Sequence, residues 1–443
     1  MRRNVISVID GAAGSCGKAK VIGEIATDPE IKITASITNS MPNAGHTFVD
    51  SKGNTTVFHN IPTAIVNKDT ELFIGPGSII DMDMLKKEYQ GAEKYLNGRK
   101  IYVHELVPLV EERHKKEERK TLKSGSTFKG GGVASAEKCQ RKRNLEFFKG
   151  YKNMIVCRND EFYDRLYEQL DRTDGYVLLE GAQGCDLDLN HSGNYPNTTS
   201  RDVSTMRLLS DSAIPPERHL ETIMVIRPFP IRISNITETG EYINSGNYGT
   251  SRELTWSEIN LGAKYECYPT MENIEEYLGD VTLTEEEKEY FLNSLSKDAK
   301  LQLFGPRKIS NNLTKLEQLE LERLYYKEQG IRKYNSKIAG EIIEDLSELT
   351  TVTKKERRIF ELDIKKLKNN VRFNKPYCLY LNFFQHLSSR YQGVTAQRQD
   401  IKFNRYIEEY LNWLETETNT PIATLGTGPR NNQKIKRQDM IKR

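Results

Sequence analysis

The chain has 443 residues, with 65 Lys and Arg against 62 Asp and Glu, a formal net charge of +3. So even a balance excludes a protein that coats nucleic acid, which needs a clustered basic excess against phosphate. With 37% apolar residues it is somewhat more polar than an average globular domain, yet long enough to bury a large core.

No apolar run approaches the roughly 18 residues of a membrane span. The apolar stretch after Arg2 and Arg3 stops at Asp10, too short for a signal-peptide core. Six cysteines (Cys16, Cys139, Cys157, Cys185, Cys267, Cys378) are scattered without a CxxC pair, as expected of reduced thiols in a cytoplasmic setting. No direct nucleic-acid or membrane partner is expected.

In chain order, residues 3–10 read as a β-branched strand that stops at a Gly-rich turn. Strand, glycine loop and helix form the opening unit of a phosphate-binding α/β domain. Further strand-like runs follow at 31–38, 71–74, 101–103, 154–157, 176–179, 222–226 and 377–381, most of them separated by helix-length segments. That alternation predicts an α/β fold with a mainly parallel twisted central sheet and flanking helices. Residues 270–346 differ, being rich in Glu, Lys, Leu and Tyr. Thr284 with Glu287 and Thr314 with Glu317 fit capping boxes, Leu313, Leu316 and Leu324 give a helical stripe, and Gly330 is an expected stop. The division expected is a nucleotide- and substrate-binding core at 1–269, a mainly helical insertion at 270–346 and the remainder of the core at 347–443. The insertion reads as a solvated lid or subunit contact, and Lys434 to Arg443 as a solvated tail.

Five segments are candidates for chemistry. Gly11 to Lys20 follows the first strand; loop amides and a helix dipole stabilise phosphate, and Lys18 adds a point charge. It is not a Walker A loop, because the glycine spacing is wrong and Ala19 lacks the hydroxyl that would hold Mg²⁺. Asn43-Ala44-Gly45-His46-Thr47 sets an imidazole beside a glycine. Glu180-Gly-Ala-Gln183-Gly184, running on to Tyr195–Arg201, is a junction full of amides and hydroxyls. Thr350 to Arg358 pairs Arg and Lys with hydroxyls, a set that holds carboxylates in bidentate fashion; taken alone, it reads as a charged helix start. Gly426-Thr427-Gly428-Pro429 is a tight turn.

Together, in this order, these segments resemble the adenylosuccinate synthetase family. The family's Gly-Asp-Glu-Gly-Lys-Gly-Lys loop is matched by Gly14 to Lys20. Asn-Ala-Gly-His-Thr is intact at Asn43 to Thr47, and Glu-Gly-Ala-Gln-Gly at Glu180 to Gly184. Ile74 to Gly77 and Gly125 to Gly130 with Arg141 look like further family segments, and Thr351 to Arg358 like its aspartate loop. The resemblance implies a P-loop-related synthetase fold and a homodimer. It implies that an amine displaces a phosphorylated 6-oxo group of a purine nucleotide.

Two departures matter. The family's catalytic Asp is Ser15 here, and a serine hydroxyl is far too weak a base to replace a carboxylate. Being smaller and neutral, it favours guanine, with its 2-amino group, over hypoxanthine. Gly-Ser-x-Gly-Lys after Asp10 is similar to the family's phage branch, which joins L-aspartate to dGMP for 2-aminoadenine (diaminopurine) DNA. The family's guanine-reading Thr-Lys-Leu-Asp is matched by Asn382 to Gln385, which favours ATP or dATP over GTP as the donor.

What the resemblance implies for residues is as follows. The catalytic set is Ser15, Lys18, His46 and Gln183. Nucleotides and phosphate fall to Gly14, Cys16, Gly17, Asn43, Ala44, Gly45, Thr47, Ser126, Thr127, Arg141 (from a second subunit), Thr199, Asn382, Gln385, Gly428 and Pro429. L-aspartate falls to Thr351, Val352, Thr353, Lys355 and Arg357. Mg²⁺ falls to Ser15 and Gly45, with Asp10 as a carboxylate ligand or substitute base. The alternatives are an adenylosuccinate synthetase acting on IMP with GTP, or an inactive nucleotide-binding regulator.

Overall fold

The computed structural model describes residues 2–121, 127–232, 234–236, 242–269, 283–296, 299–300, 313–329, 333–335, 342–349 and 356–441. Its centre is an 11-stranded sheet. From one edge the strands are Ala396–Gln397, Lys434–Lys436, Ile422–Gly426, Cys378–Leu381, His219–Ile226 and Val5–Asp10. They continue with Tyr176–Glu180, Ile33–Thr38, Glu71–Ile74, Ile101–His104 and Met154–Cys157. All pairings are parallel except that of Ile422–Gly426 with Lys434–Lys436. All eight sequence-predicted strands lie in it, so the fold is α/β with a mainly parallel sheet. The central strands read as continuous apolar runs because helices cover both faces; Val5–Asp10 and Ile33–Thr38 are buried throughout.

Three strands of this sheet, Ala396–Gln397, Ile422–Gly426 and Lys434–Lys436, were not anticipated, and the last corrects the reading of the tail. Lys434–Lys436 pairs with two neighbours, Ile435 is fully buried, and Met440 and Ile441 pack into the core beside Cys378 and Tyr380. A run rich in Lys and Arg conceals this, since only one residue in three faces inward there.

The described helices within residues 270–346 are also less solvated than expected. Both capping boxes form, at Thr284 and Thr314. The helix Lys315–Glu328 buries Leu319, Leu321, Arg323 and Leu324 and packs on the helix Trp256–Tyr265. Gly330 lies outside the described residues; Gln329 caps the helix. A hairpin, Lys333–Asn335 with Ile342–Glu344, adds β-structure to this region. Arg358, expected in a helix start, instead opens the strand Arg358–Phe360. That strand lies between Ile231–Arg232 and Glu253–Leu254 in a small antiparallel sheet.

The hairpin His46–Val49/Thr55–Phe58 leans on the first helix, Lys18–Thr27. The contact depends on Gly23: a Cβ there would lie 2.2 Å from the Phe48 ring. Gly23→Ala should therefore cost about 1–3 kcal/mol through overpacking, read as a lowered denaturation midpoint, and should displace the hairpin that carries His46.

Candidate active site

The first strand ends at Asp10, and the chain then wraps around that buried carboxylate. Oδ1 accepts from the amides of Ala12 (3.0 Å) and Gly14 (3.3 Å); Oδ2 accepts from the amide of Cys16 (2.9 Å) and from Lys18 Nζ (3.2 Å). The wrap needs left-handed backbone at Gly14, Ser15 and Gly17 (φ 86°, 56° and 84°), which glycine adopts without strain. Gly184 presses against the same loop, where a Cβ would come within 2.2 Å of the Ala12 carbonyl. Lys18 completes the junction by donating to the Gln183 carbonyl at 2.7 Å.

This geometry corrects part of the expectation. The Gly14 and Cys16 amides turn inward to Asp10 rather than toward a phosphate. Ser15 and Gly17 form the outward part of the loop and, with the buried Lys18, line a cavity of about 230 Å³. The cavity brings in Gly45, His46 and Thr47 from one side. Asn382, Gln385, Gly428 and Pro429 enter from the other. Asn382 is a wall residue: its Nδ2 donates to the Cys16 carbonyl (3.0 Å), and its amide fits only because Gly17 and Gly426 lack a Cβ. Lys20, which donates to the carbonyls of Gly428 (2.7 Å) and Gln433 (2.6 Å), fastens the turn to the first helix. Burial pulls its pKa down to about 7.

Arg357 reaches the cavity and donates from Nη1 to Ser15 Oγ at 2.7 Å. Asn43, Ala44, Thr127, Gln183 and Thr199 are not part of this lining. Ser126, Thr351, Val352, Thr353 and Lys355 lie outside the described residues. Arg141 is exposed.

Six buried polar atoms on the anticipated residues have no hydrogen-bond partner among the described residues: Asn43 Oδ1, His46 Nε2, Thr127 Oγ1, Gln183 Nε2, Thr199 Oγ1 and Gln385 Oε1. Buried polar atoms are nearly always paired, so His46 Nε2 and Gln385 Oε1, on residues that line the cavity, are open to a polar ligand. His46 is neutral, its pKa pulled down to about 3 by burial first and then by Lys18 and His59. At neutral pH it is a hydrogen-bond donor rather than a cation.

Three participants went unnoticed in the sequence. Arg227 is fully buried and donates to the Ser15 carbonyl (3.2 Å). It also pairs with Glu348 and lies 4.0 Å from the centre of the Phe383 ring. Burial alone would raise the Glu348 pKa, but Arg227 outweighs it and holds the carboxyl below its usual value. His386, 3.8 Å from Glu348, is pulled down to about 3 by burial. Arg227 follows the strand His219–Ile226 directly, and ligands gather at the carboxyl ends of such strands; that signal was available. Glu348 belongs to no motif.

A Mg²⁺ ion that bridges substrate phosphates needs few protein ligands. Ser15 and Gly45 face one cavity and fit that need. Asp10 fits poorly, since its two oxygens already accept from four donors that shape the loop.

A glycine loop, a helix start and a polar cavity at the carboxyl ends of a parallel sheet define an α/β enzyme that handles phosphorylated nucleotides. Residues 8–148 match the family model for adenylosuccinate synthetase. The N6-succino-2-amino-2'-deoxyadenylate synthase of Cyanophage S-2L is 30% identical over 278 residues, 59% of this chain and 73% of that one. The adenylosuccinate synthetase of Methanocaldococcus jannaschii is 30% identical over 355 residues, 78% of this chain and 91% of that one. Among solved structures, Cyanophage S-2L succinoaminodeoxyadenylate synthetase bound to dGMP and dATP as an energy donor superposes with a TM-score of 0.67. That match is 23% identical and covers 98% of this chain and 96% of the other. The chain belongs to the adenylosuccinate synthetase family.

The low His46 pKa sets an expected outcome. In an NMR titration of the ligand-free protein, the His46 imidazole should not protonate between pH 8 and pH 5. The sign for stability follows: the unfolded chain takes up protons below the ordinary pKa of 6.5 while folded His46 refuses them. Acid therefore destabilises the fold from that pH downward, less so in His46→Asn.

Proposed function

We propose that this protein is a ligase that joins L-aspartate to C6 of dGMP, using ATP or dATP. The observation that carries the reading is Ser15. A small neutral hydroxyl, held by Arg357 at 2.7 Å, stands where the family has a carboxylate, and it leaves room for the guanine 2-amino group. The phage relative's name and the dGMP and dATP in its solved homologue support the same choice.

The chemistry is two displacements. The donor γ-phosphoryl group passes to the 6-oxygen of guanine as ADP or dADP departs, and the N1 proton goes to solvent, leaving a 6-phosphoryl intermediate. The aspartate amine then attacks C6, phosphate departs with the C6–O bond, and the amine gives up a proton. The product is 2-amino-2'-deoxy-N6-succinyl-AMP. Lys18 would stabilise charge on the transferring phosphoryl group, and neutral His46 would donate from Nε2 to the bridging or 6-oxygen. Gln183 would hold the 6-phosphoryl group. Thr127, Thr199 and the partner subunit's copy of Arg141 would bind the 5′-phosphate. Thr351, Val352, Thr353, Lys355 and Arg357 would clamp the aspartate. Glu348 is the one carboxylate lining the cavity among the described residues; paired with Arg227, it is a poor base. Ser15 and Gly45 would hold Mg²⁺, which neutralises donor phosphate charge when bound.

Gln385 replaces the carboxylate that would accept from guanine N1 and N2 hydrogens, and its amide suits adenine N6 and a ring nitrogen instead. We infer a homodimer with no direct nucleic-acid partner, working in the cytoplasm of the host cell. No helix among the described residues is long and apolar enough to cross a membrane.

The test mixes enzyme, aspartate, Mg²⁺-ATP and either dGMP or IMP, and follows product mass. Mass for the succinyl adduct of dGMP is expected; turnover of IMP alone would reject the guanine reading. His46→Ala should lower kcat by about 10²–10⁴-fold. Exchanging ATP for GTP should lower turnover, and Gln385→Asp should narrow that gap.

A further inference from the structure

We propose that the insertion helix Lys315–Glu328 sets the position of the aspartate-clamping arginine, with Arg323 as the positioning residue. The inference rests on the reading of Arg357 as a carboxylate clamp. Arg323 is 2% exposed and grips Glu356 with two nitrogens, Nη1 to Oε1 at 2.9 Å and Nη2 to Oε2 at 3.1 Å. Its Nε donates to Glu320 Oε1 (3.0 Å), and Nη1 also reaches Asp345 at 3.4 Å. Lys327, one turn on, lies 2.7 Å from Glu356. Glu320 in turn accepts from the Ser257 amide at 2.9 Å.

Glu356 is the residue immediately before Arg357. A two-nitrogen grip fixes the orientation of a carboxylate as well as its distance, so the chain enters Arg357 at a set angle. The other constraints act on Arg357 itself: its amide donates to the Glu348 carbonyl (2.9 Å), and its carbonyl accepts from Trp256 Nε1 (2.9 Å). Arg357 then reaches Ser15. A lid whose only task is to exclude water has no need to gather three carboxylates and two cations, with Arg323, Glu320 and Glu356 buried. Such a cluster is costly unless every charge is paired, and it is well suited to fixing one geometry.

The protein has two tryptophans, Trp256 and Trp413. In a Trp413→Phe background, Trp256 emission therefore reports on the Arg357 backbone without any need for turnover. Arg323→Met and Lys327→Met are compared with this parent for emission, iodide quenching, KM for aspartate, dGMP and ATP, and melting temperature. Arg323→Met is expected to red-shift and expose Trp256. It should raise KM for aspartate about tenfold or more, with the other two KM values within about twofold. Lys327→Met, at a partly exposed position, should do the same to a smaller degree, about threefold, and it carries the test if Arg323→Met does not fold. Unchanged Trp256 emission with an unchanged aspartate KM would overturn the proposal, as would equal rises in all three KM values. If the parent does not ligate aspartate to dGMP, the functional reading fails on its own, and Trp256 emission still decides the tether.

Discussion

The site is built around one buried carboxylate. Asp10 gathers the amides of Ala12, Gly14 and Cys16 and the ammonium of Lys18 onto two oxygens, and the loop takes its shape from them. Its other contacts follow from that shape. The Glu180–Gly184 segment meets the loop only because Gly184 has no side chain, and Asn382 fits only because Gly17 has none. An unpaired carboxylate at this depth would be prohibitively costly. The same four donors that stabilise Asp10 therefore fix the loop surface against which Gly184 and Asn382 pack.

Around that anchor, charge is distributed unequally. Arg227, Arg357 and Glu348 form a compact ionic group on the side of Ser15, while His46 and His386 are kept neutral by burial. Guanidinium groups suit planar carboxylates through paired donors, and a neutral imidazole offers one hydrogen without adding charge. Charged and neutral hydrogen-bond donors are thus separated by side-chain type around one cavity.

Much of this was legible in the sequence because it depends on local pattern. The eight short β-branched or apolar runs became strands, since burial on both faces demands unbroken apolar residues. The glycine loop, Asn43 to Thr47 and Glu180 to Gly184 could be read as a site because close backbone approach leaves few residue choices. The tail was misread because Lys434, Lys436, Arg437 and Asp439 surround Ile435 and precede the pair Met440–Ile441, so charge masks the buried residues. Arg227, Glu348 and His386 were overlooked because they meet only in three dimensions; 121 and 159 positions separate Arg227 from the other two. The inward turn of the Gly14 and Cys16 amides is likewise a matter of φ angles, which a glycine permits but does not dictate.

The wall formed by Gly428 and Pro429, fastened to the first helix through Lys20, joins residues more than four hundred positions apart. Chains leave the ribosome N-terminus first and domains form as they emerge. The glycine loop therefore emerges roughly four hundred residues before the turn that completes its cavity. Until residues 426–433 are released, a nascent chain has this cavity open on the side that Gly428 and Pro429 close.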